Sequence, residues 1–136
     1  MSACDYKHRN RDDDFESLIK QVLEFDRIIF ASPVYWYAVG LPMKFFLDRI
    51  SDFLELPELV SDGRRLRGKA GFVVCASIYE EVPKSFIGAF IDTFDYLDMR
   101  YGVAHANCRE GYVPAKHDAG ALAFSDIVRD YAKGVA

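Results

Sequence analysis

Cysteine is scarce in this chain of 136 residues: Cys4, Cys75 and Cys108 lie far apart. An odd count without C-x-x-C spacing argues against both a disulfide framework and a zinc site. Cys75 sits in an apolar run and reads as a small core residue. Positive charge is also short, with 17 Lys and Arg against 21 Asp and Glu. Non-specific nucleic-acid binding needs a basic field to displace phosphate counterions, so that class is set aside. Long apolar runs are missing, since none approaches the ~20 residues that cross a bilayer. The N-terminus is polar and charged, unlike a secretory signal, and the cytoplasm is the expected compartment. His8, His105 and His117 are scattered without ligand spacing, so no metal centre is expected. What the chain does have is apolar mass: 51% hydrophobic residues, with 11 Phe and 8 Tyr. That supports one core, and the length fits one domain over residues 1–136.

Apolar spacing gives the elements. Asp12, Asp13 and Asp14 precede Phe15, Leu18, Ile19, Val22 and Leu23, an amphipathic helix whose start the carboxylates suit as caps. Ile28, Ile29, Phe30 and Ala31 form a short β-branched run, the pattern of a parallel strand covered on both faces. Ser32 and Pro33 are expected to close it, because proline cannot continue a central strand. After a loop over residues 34–40, a second helix carries Met43, Phe46, Leu47, Ile50 and Leu54, with Pro42 in its first turn. A polar connection follows, with the basic group Arg64, Arg65, Arg67 and Lys69. It reads as a solvated loop or, alternatively, as a site for nicotinamide-cofactor phosphates. Gly71 to Ala76 is a second buried strand. Phe86, Phe90, Phe94 and Leu97 mark a third helix, Met99 to Ala106 a third strand, and Ala119 to Ala132 a closing helix. His105, in that strand, is the best placed of the histidines, yet a surface or core role is expected for it. Strands alternating with helices imply βαβ units and a parallel α/β sheet.

In such a sheet, ligands bind outside the carboxyl ends of the strands. That rule selects Ser32, Pro33, Val34, Tyr35, Trp36 and Tyr37 in one loop, and Ser77, Ile78 and Tyr79, with Glu80 and Glu81, in another. The first loop holds the only Trp between two tyrosines. Large aromatics on a loop either cover something flat, such as a flavin, or pack on the core or a dimer interface.

The run Ala31-Ser32-Pro33-Val34-Tyr35-Trp36-Tyr37, followed by Met43-Lys44-Phe45-Phe46-Leu47-Asp48-Arg49, resembles the strand–loop–helix signature of the flavodoxin-like NAD(P)H-dependent FMN reductases. Asp12-Asp13-Asp14-Phe15 and Leu66-Arg67-Gly68-Lys69 are similar to that family as well. The resemblance implies a flavodoxin-like three-layer sandwich with a parallel sheet of about three strands. It also implies FMN as cofactor and NAD(P)H as reductant. Pro33 to Tyr37 would lie along the isoalloxazine ring, with Val34, Tyr35 and Trp36 contributing mostly backbone, and Ser77 to Glu81 would approach its other side. A hydride would pass by way of flavin to a quinone, nitro or similar small acceptor, with no side chain needed as catalytic acid or base.

The chain departs from that family pattern in one respect. The pattern begins with a strand, a Ser/Thr/Gly-rich loop holding the FMN phosphate, a helix and a second strand. Here the only Thr is Thr93, and no Gly/Ser loop follows an early strand. The expectation is a domain lacking that N-terminal unit, a little more than one βαβ unit of about 30 residues. Asp26–Ala31 would then be a sheet edge, with Ile28, Ile29 and Phe30 partly uncovered. An exposed edge invites pairing, so a homo-oligomer through Asp26–Ala31 is expected. The alternative function is a flavodoxin-like remnant without FMN, acting as a binding or assembly module.

Overall fold

Phe15, Ile19 and Leu23 repeat at helical spacing and are all buried; the helix they build, α1, spans Phe15–Val22. It belongs to a computed structural model that describes residues 12–55, 57, 59–101, 105–109, 117 and 119–131. Asp13 starts α1: its Oδ1 accepts the Phe15 N–H at 3.1 Å, satisfying one of the free donors of a helix start. Asp14 holds the cap position without a side-chain bond of its own. Next come β1 (Arg27–Tyr35), β2 (Ala38–Val39), α2 (Leu41–Arg49), α3 (Asp52–Glu55) and α4 (Val60–Gly63). A 3-10 turn at Arg64–Leu66 leads to β3 (Ala70–Ser77), α5 (Lys84–Tyr96), β4 (His105–Arg109) and α6 (Ala119–Asp130).

The sheet order is β2-β1-β3-β4. Strands β1, β3 and β4 are parallel, with Arg27 opposite Ala70, Pro33 opposite Ala76 and Val73 opposite His105. The two residues of β2 run antiparallel to the end of β1. The central strand is β3, buried on both faces. On one side Val73 and Cys75 join Phe30, Phe86, Phe90 and Phe94 in the main core. On the other, Phe72 meets Phe124 and Tyr131 edge-on at 6.2 and 5.2 Å, the favoured aromatic arrangement. Gly71 is required here, because a Cβ would come within 2.7 Å of the Phe94 ring.

Four sequence expectations need correction. Strand β1 does not stop at Ser32 and Pro33 but runs on to Tyr35. The Asp26 carbonyl accepts the Ala70 N–H at 2.9 Å, and pairing direction alternates along a strand. Ile28, Phe30 and Ser32 therefore address β3, while Arg27, Ile29, Ala31 and Pro33 address the outer edge. Pro33 has no N–H to lose on that side, so it breaks no ladder bond. Second, β1 is covered on one face only: its burial alternates, with Ile29 half exposed and Phe30 buried rather than uncovered. Third, the second helix is interrupted after Arg49 and resumes as α3. Fourth, β4 runs on past Ala106 to Arg109, and Arg100 makes an isolated bridge to Ala70; residues 102–104 lie outside the described residues. His8, Cys4 and the rest of residues 1–11 lie outside the described residues.

Arg49 holds the helices at this end together. Its Nε donates to Asp52 Oδ2 at 2.7 Å, another of its nitrogens pairs with Asp13 Oδ2, and its guanidinium lies 4.7 Å from the Phe15 ring centroid. The Arg49 side chain is 8% exposed and that of Asp52 3%.

Candidate functional site

Strand β1 turns back sharply at its carboxyl end. Val34 faces Val39 and Tyr35 faces Ala38, which leaves Trp36 and Tyr37 as a two-residue hairpin loop. Their φ values are 47° and 65°. Such a loop favours Asn-Gly, since both positions need left-handed backbone. Two bulky aromatics there are strained, and strain of this kind gathers at ligand clamps. Trp36 is 91% exposed, so it does not pack back on the core.

Hydrogen bonds fix this hairpin from below. Ser32 Oγ accepts the Gly40 N–H at 3.1 Å and donates to the Pro33 carbonyl at 2.9 Å. Ser85 Oγ, at the start of α5, donates to the Tyr37 carbonyl at 2.8 Å. The second loop lies beside the first because β3 is the parallel neighbour of β1, with Ser32 opposite Cys75. In that loop Ser77 Oγ accepts the Tyr79 N–H at 3.3 Å, and Ile78 is exposed.

The two loops meet through Tyr37 and Tyr79, whose rings stack with centroids 5.1 Å apart and planes 29° from parallel. The Tyr37 hydroxyl, with a smaller contribution from burial, holds the Tyr79 phenol above its ordinary pKa of 10.0. Tyr79 therefore stays protonated throughout the neutral range. Thus Ser32, Pro33, Val34, Tyr35, Trp36 and Tyr37 come together with Ser77, Ile78 and Tyr79 at one end of the sheet. Val34 points into the core, while Tyr35 and Trp36 face solvent.

This end offers aromatic faces and loop backbone, which suit a planar, amphipathic ring such as a flavin. A phosphate asks for several free N–H or hydroxyl donors. The Ser32 and Ser85 hydroxyls already donate to backbone carbonyls. The ring of FMN fits the described residues better than its phosphate does.

A second feature runs along the outer edge of β1. It is an apolar trough of about 720 Å³ between that edge and the helices, lined by Leu18 and Val22 of α1, by Ile29 and Ala31, and by Met43 and Phe46 of α2.

The basic cluster sits at the other end of the sheet, where Arg27, Arg65, Arg67, Lys69 and Arg100 border a hollow of about 320 Å³ at the starts of β1 and β3. Strand β3 is 8 residues long, which at ~3.3 Å per residue puts the cluster more than 20 Å from Ser77. Its charges serve the fold: Lys69 Nζ donates to the Leu23 and Phe25 carbonyls, and Arg27 donates to the Val128 and Arg129 carbonyls at the end of α6. Arg67 pairs with Asp98 at 2.9 Å. The cluster therefore forms a structural clasp at the end of the sheet away from the candidate loops.

Sequence reasoning missed Arg49, Ser85 and the Tyr37–Tyr79 stack. The i,i+3 spacing of Arg49 and Asp52 was a legible signal for an ion pair. The other two join positions distant in sequence, and no local pattern announces them.

Among known proteins, the NADPH-dependent FMN reductase family matches this chain over residues 1–106. YwqN of Bacillus subtilis (strain 168), named for an NAD(P)H-dependent FMN-containing oxidoreductase activity, is 27% identical over 119 residues, 88% of this chain. The chain spans 60% of the length of that relative. Among solved structures, the Trp repressor binding protein from Bacillus subtilis is similar with a TM-score of 0.66 at 22% identity, covering 94% of this chain and 74% of that one. An NADPH-quinone reductase from P. pentosaceus follows with a TM-score of 0.62 at 19% identity, covering 92% of this chain and 77% of its own. At these identities the two structures speak for the flavodoxin-like fold.

Proposed function

The chain belongs to the NADPH-dependent FMN reductase family, and from that premise we propose that it acts as one domain over residues 1–136 in FMN-dependent hydride transfer from NAD(P)H to a small acceptor. A quinone or nitro compound is the acceptor class proposed, the former supported by the likeness to an NADPH-quinone reductase. The observation that carries this reading is the strained aromatic hairpin at Trp36 and Tyr37, clasped to Tyr79 at the carboxyl ends of β1 and β3. The flavin ring is proposed to lie along Pro33 to Tyr37, with Ser77, Ile78 and Tyr79 on its other side. When bound, FMN supplies the two-electron redox chemistry.

The protein's own part is position and access. Ser32 and Ser85 hold the hairpin's return and tip. The stack of Tyr37 on Tyr79 keeps the second loop against the first. The exposed rings of Tyr35 and Trp36 cover a flat ligand and keep water from one side of it. No side chain needs to act as acid or base. The work is proposed to take place in the cytoplasm; among the described residues no helix is long and apolar enough to cross a membrane. A homo-oligomer through the edge at Asp26–Ala31 is part of the proposal.

One observation favours a second reading, a flavodoxin-like module without flavin that serves binding or assembly. The hydroxyls of Ser32 and Ser85 are already spent on the backbone. Turnover separates the two. With FMN added, oxidation of NADH or NADPH that depends on an added quinone supports the reductase. No acceptor-dependent oxidation with either nucleotide would favour the module.

A further inference from the structure

Arg27, Ala70 and Arg100 stand at one level across the amino end of the sheet. Arg27 is the register partner of Ala70, and Ala70 bridges in parallel to Arg100 on its other side. Register partners project from the same face of a sheet. That face is the one α6 covers, because Ala70 packs with Phe72 and Phe124. Arg27 and Arg100 therefore flank the small Ala70, their Cα atoms about 10 Å apart at ~4.8 Å per strand. Both border the hollow of about 320 Å³, together with the Tyr131 ring.

The clasp fixes these two cations without neutralising them. Arg100 Nε donates to the Gly68 carbonyl at 2.7 Å, its N–H donates to the Lys69 carbonyl at 2.8 Å, and its guanidinium lies 5.8 Å from the Tyr131 ring centroid. Arg27 commits Nη1 to the Val128 and Arg129 carbonyls. The end of α6 lends Arg27 carbonyl dipoles but no full charge. Among the described residues neither arginine meets a carboxylate, and both Nη groups of Arg100 and the Nη2 of Arg27 have no protein acceptor. The other three cations of the hollow are answered: Arg65 by Glu24, Arg67 by Asp98 and Lys69 by Asp26 at 4.0 Å. The hollow thus keeps an excess of two positive charges, on a chain whose net charge is −4.

We infer that this hollow is a binding site for a phosphate dianion, held between Arg27 and Arg100 at the amino ends of β1 and β3. A dianion matches the excess of two charges. Each guanidinium presents paired N–H groups that suit phosphate oxygens. The hollow stands at the small end of ligand pockets, which run from ~300 to 1,000 Å³. Because the clasp already orders Arg100 and Arg27, little freedom remains to be lost on binding. Free inorganic phosphate and the phosphomonoester of a small organic molecule present the same dianion, and Tyr131 offers an organic part a ring to lie against. The bound anion ties β1 and the approach to β3 to the end of α6, so occupancy stabilises the native chain. The site lies at the far end of the strands from the flavin loops, and its failure and that of the reductase reading are distinguishable.

The test is calorimetric titration of the full chain, without FMN, with inorganic phosphate at constant ionic strength set by chloride. At about pH 8 a phosphomonoester, whose second pKa is ~6, is fully a dianion. Saturable binding of one phosphate per chain is expected. Arg100→Gln should weaken it by roughly tenfold, with circular dichroism unchanged. Lys44→Gln, which removes an exposed cation of α2 outside the hollow, should leave it as it is. Adenosine 5′-monophosphate separates the sources: tighter binding than phosphate, lost in Arg100→Gln, assigns the site to a phosphomonoester, and equal binding assigns it to the free anion. Phenylglyoxal modification read by peptide mass needs no variant: phosphate should slow the reaction at Arg27 and Arg100 and leave Arg129 unchanged. Binding of phosphate no different from chloride overturns the inference. Equal affinity in Arg100→Gln, or no protection of Arg27 and Arg100, overturns it as well.

Discussion

Trp36 and Tyr37 occupy backbone that neither side chain prefers, with φ of 47° and 65°. Left-handed bulky residues cost of order 1 kcal/mol or more each, and Asn-Gly is the pair such a loop favours. The surroundings over-determine the strain: Ser85 holds the Tyr37 carbonyl, Tyr79 stacks on its ring, and Ser32 ties Gly40 back to the strand. Replacing the pair by Asn and Gly (W36N/Y37G) is expected to stabilise the fold by about 1 kcal/mol in urea denaturation. The same change should weaken flavin binding, because it removes the aromatic surface. A loss of stability instead would mean that the Tyr37–Tyr79 stack outweighs the backbone strain at the tip.

At the level of elements, Arg49 joins the start of α1, the end of α2 and the start of α3. Its partner Asp52 is buried, with only 3% of its side chain exposed. Removing one member of such a pair takes away the buried counter-charge of the other, at a cost of about 3–5 kcal/mol. Arg49→Met should therefore lower unfolding stability by that order, read from a denaturation midpoint. The double variant R49M/D52L should recover part of the loss, since a buried ion pair is replaceable by apolar packing. If Arg49→Met unfolds at the parent's midpoint, the pair contributes nothing to holding the helices.

Much of this level was legible in the sequence. The spacing of Phe15 and Ile19, and of Phe86, Phe90 and Phe94, placed α1 and α5 within a residue or two, because apolar periodicity reports the face a helix buries. The apolar run from Gly71 to Ala76 gave β3 for the same reason. Pro33 misled because a proline's effect depends on which side of the strand its missing N–H faces, and that is set by register. The two candidate loops were readable from strand order and the rule of carboxyl ends. Their contact through Tyr37 and Tyr79 was not, since it joins residues far apart in the chain.

For the whole molecule, β3 is the centre of the described sheet, with β1 and β4 on its two sides. Strand β3 is buried on both faces, while β1 shows its outer face and outer edge to solvent along the trough. The candidate flavin loops and the basic clasp occupy opposite ends of the strands, where Lys69 binds the Leu23 and Phe25 carbonyls and Arg65 pairs with Glu24. The central claim is that Ser32–Tyr37 and Ser77–Tyr79 form a working platform for a flavin ring. It is tested most directly by titrating FMN with the full chain and following flavin fluorescence, with W36N/Y37G in parallel. The account predicts saturable quenching by the parent and weaker quenching by the variant. FMN fluorescence left unchanged at high micromolar parent protein would contradict it.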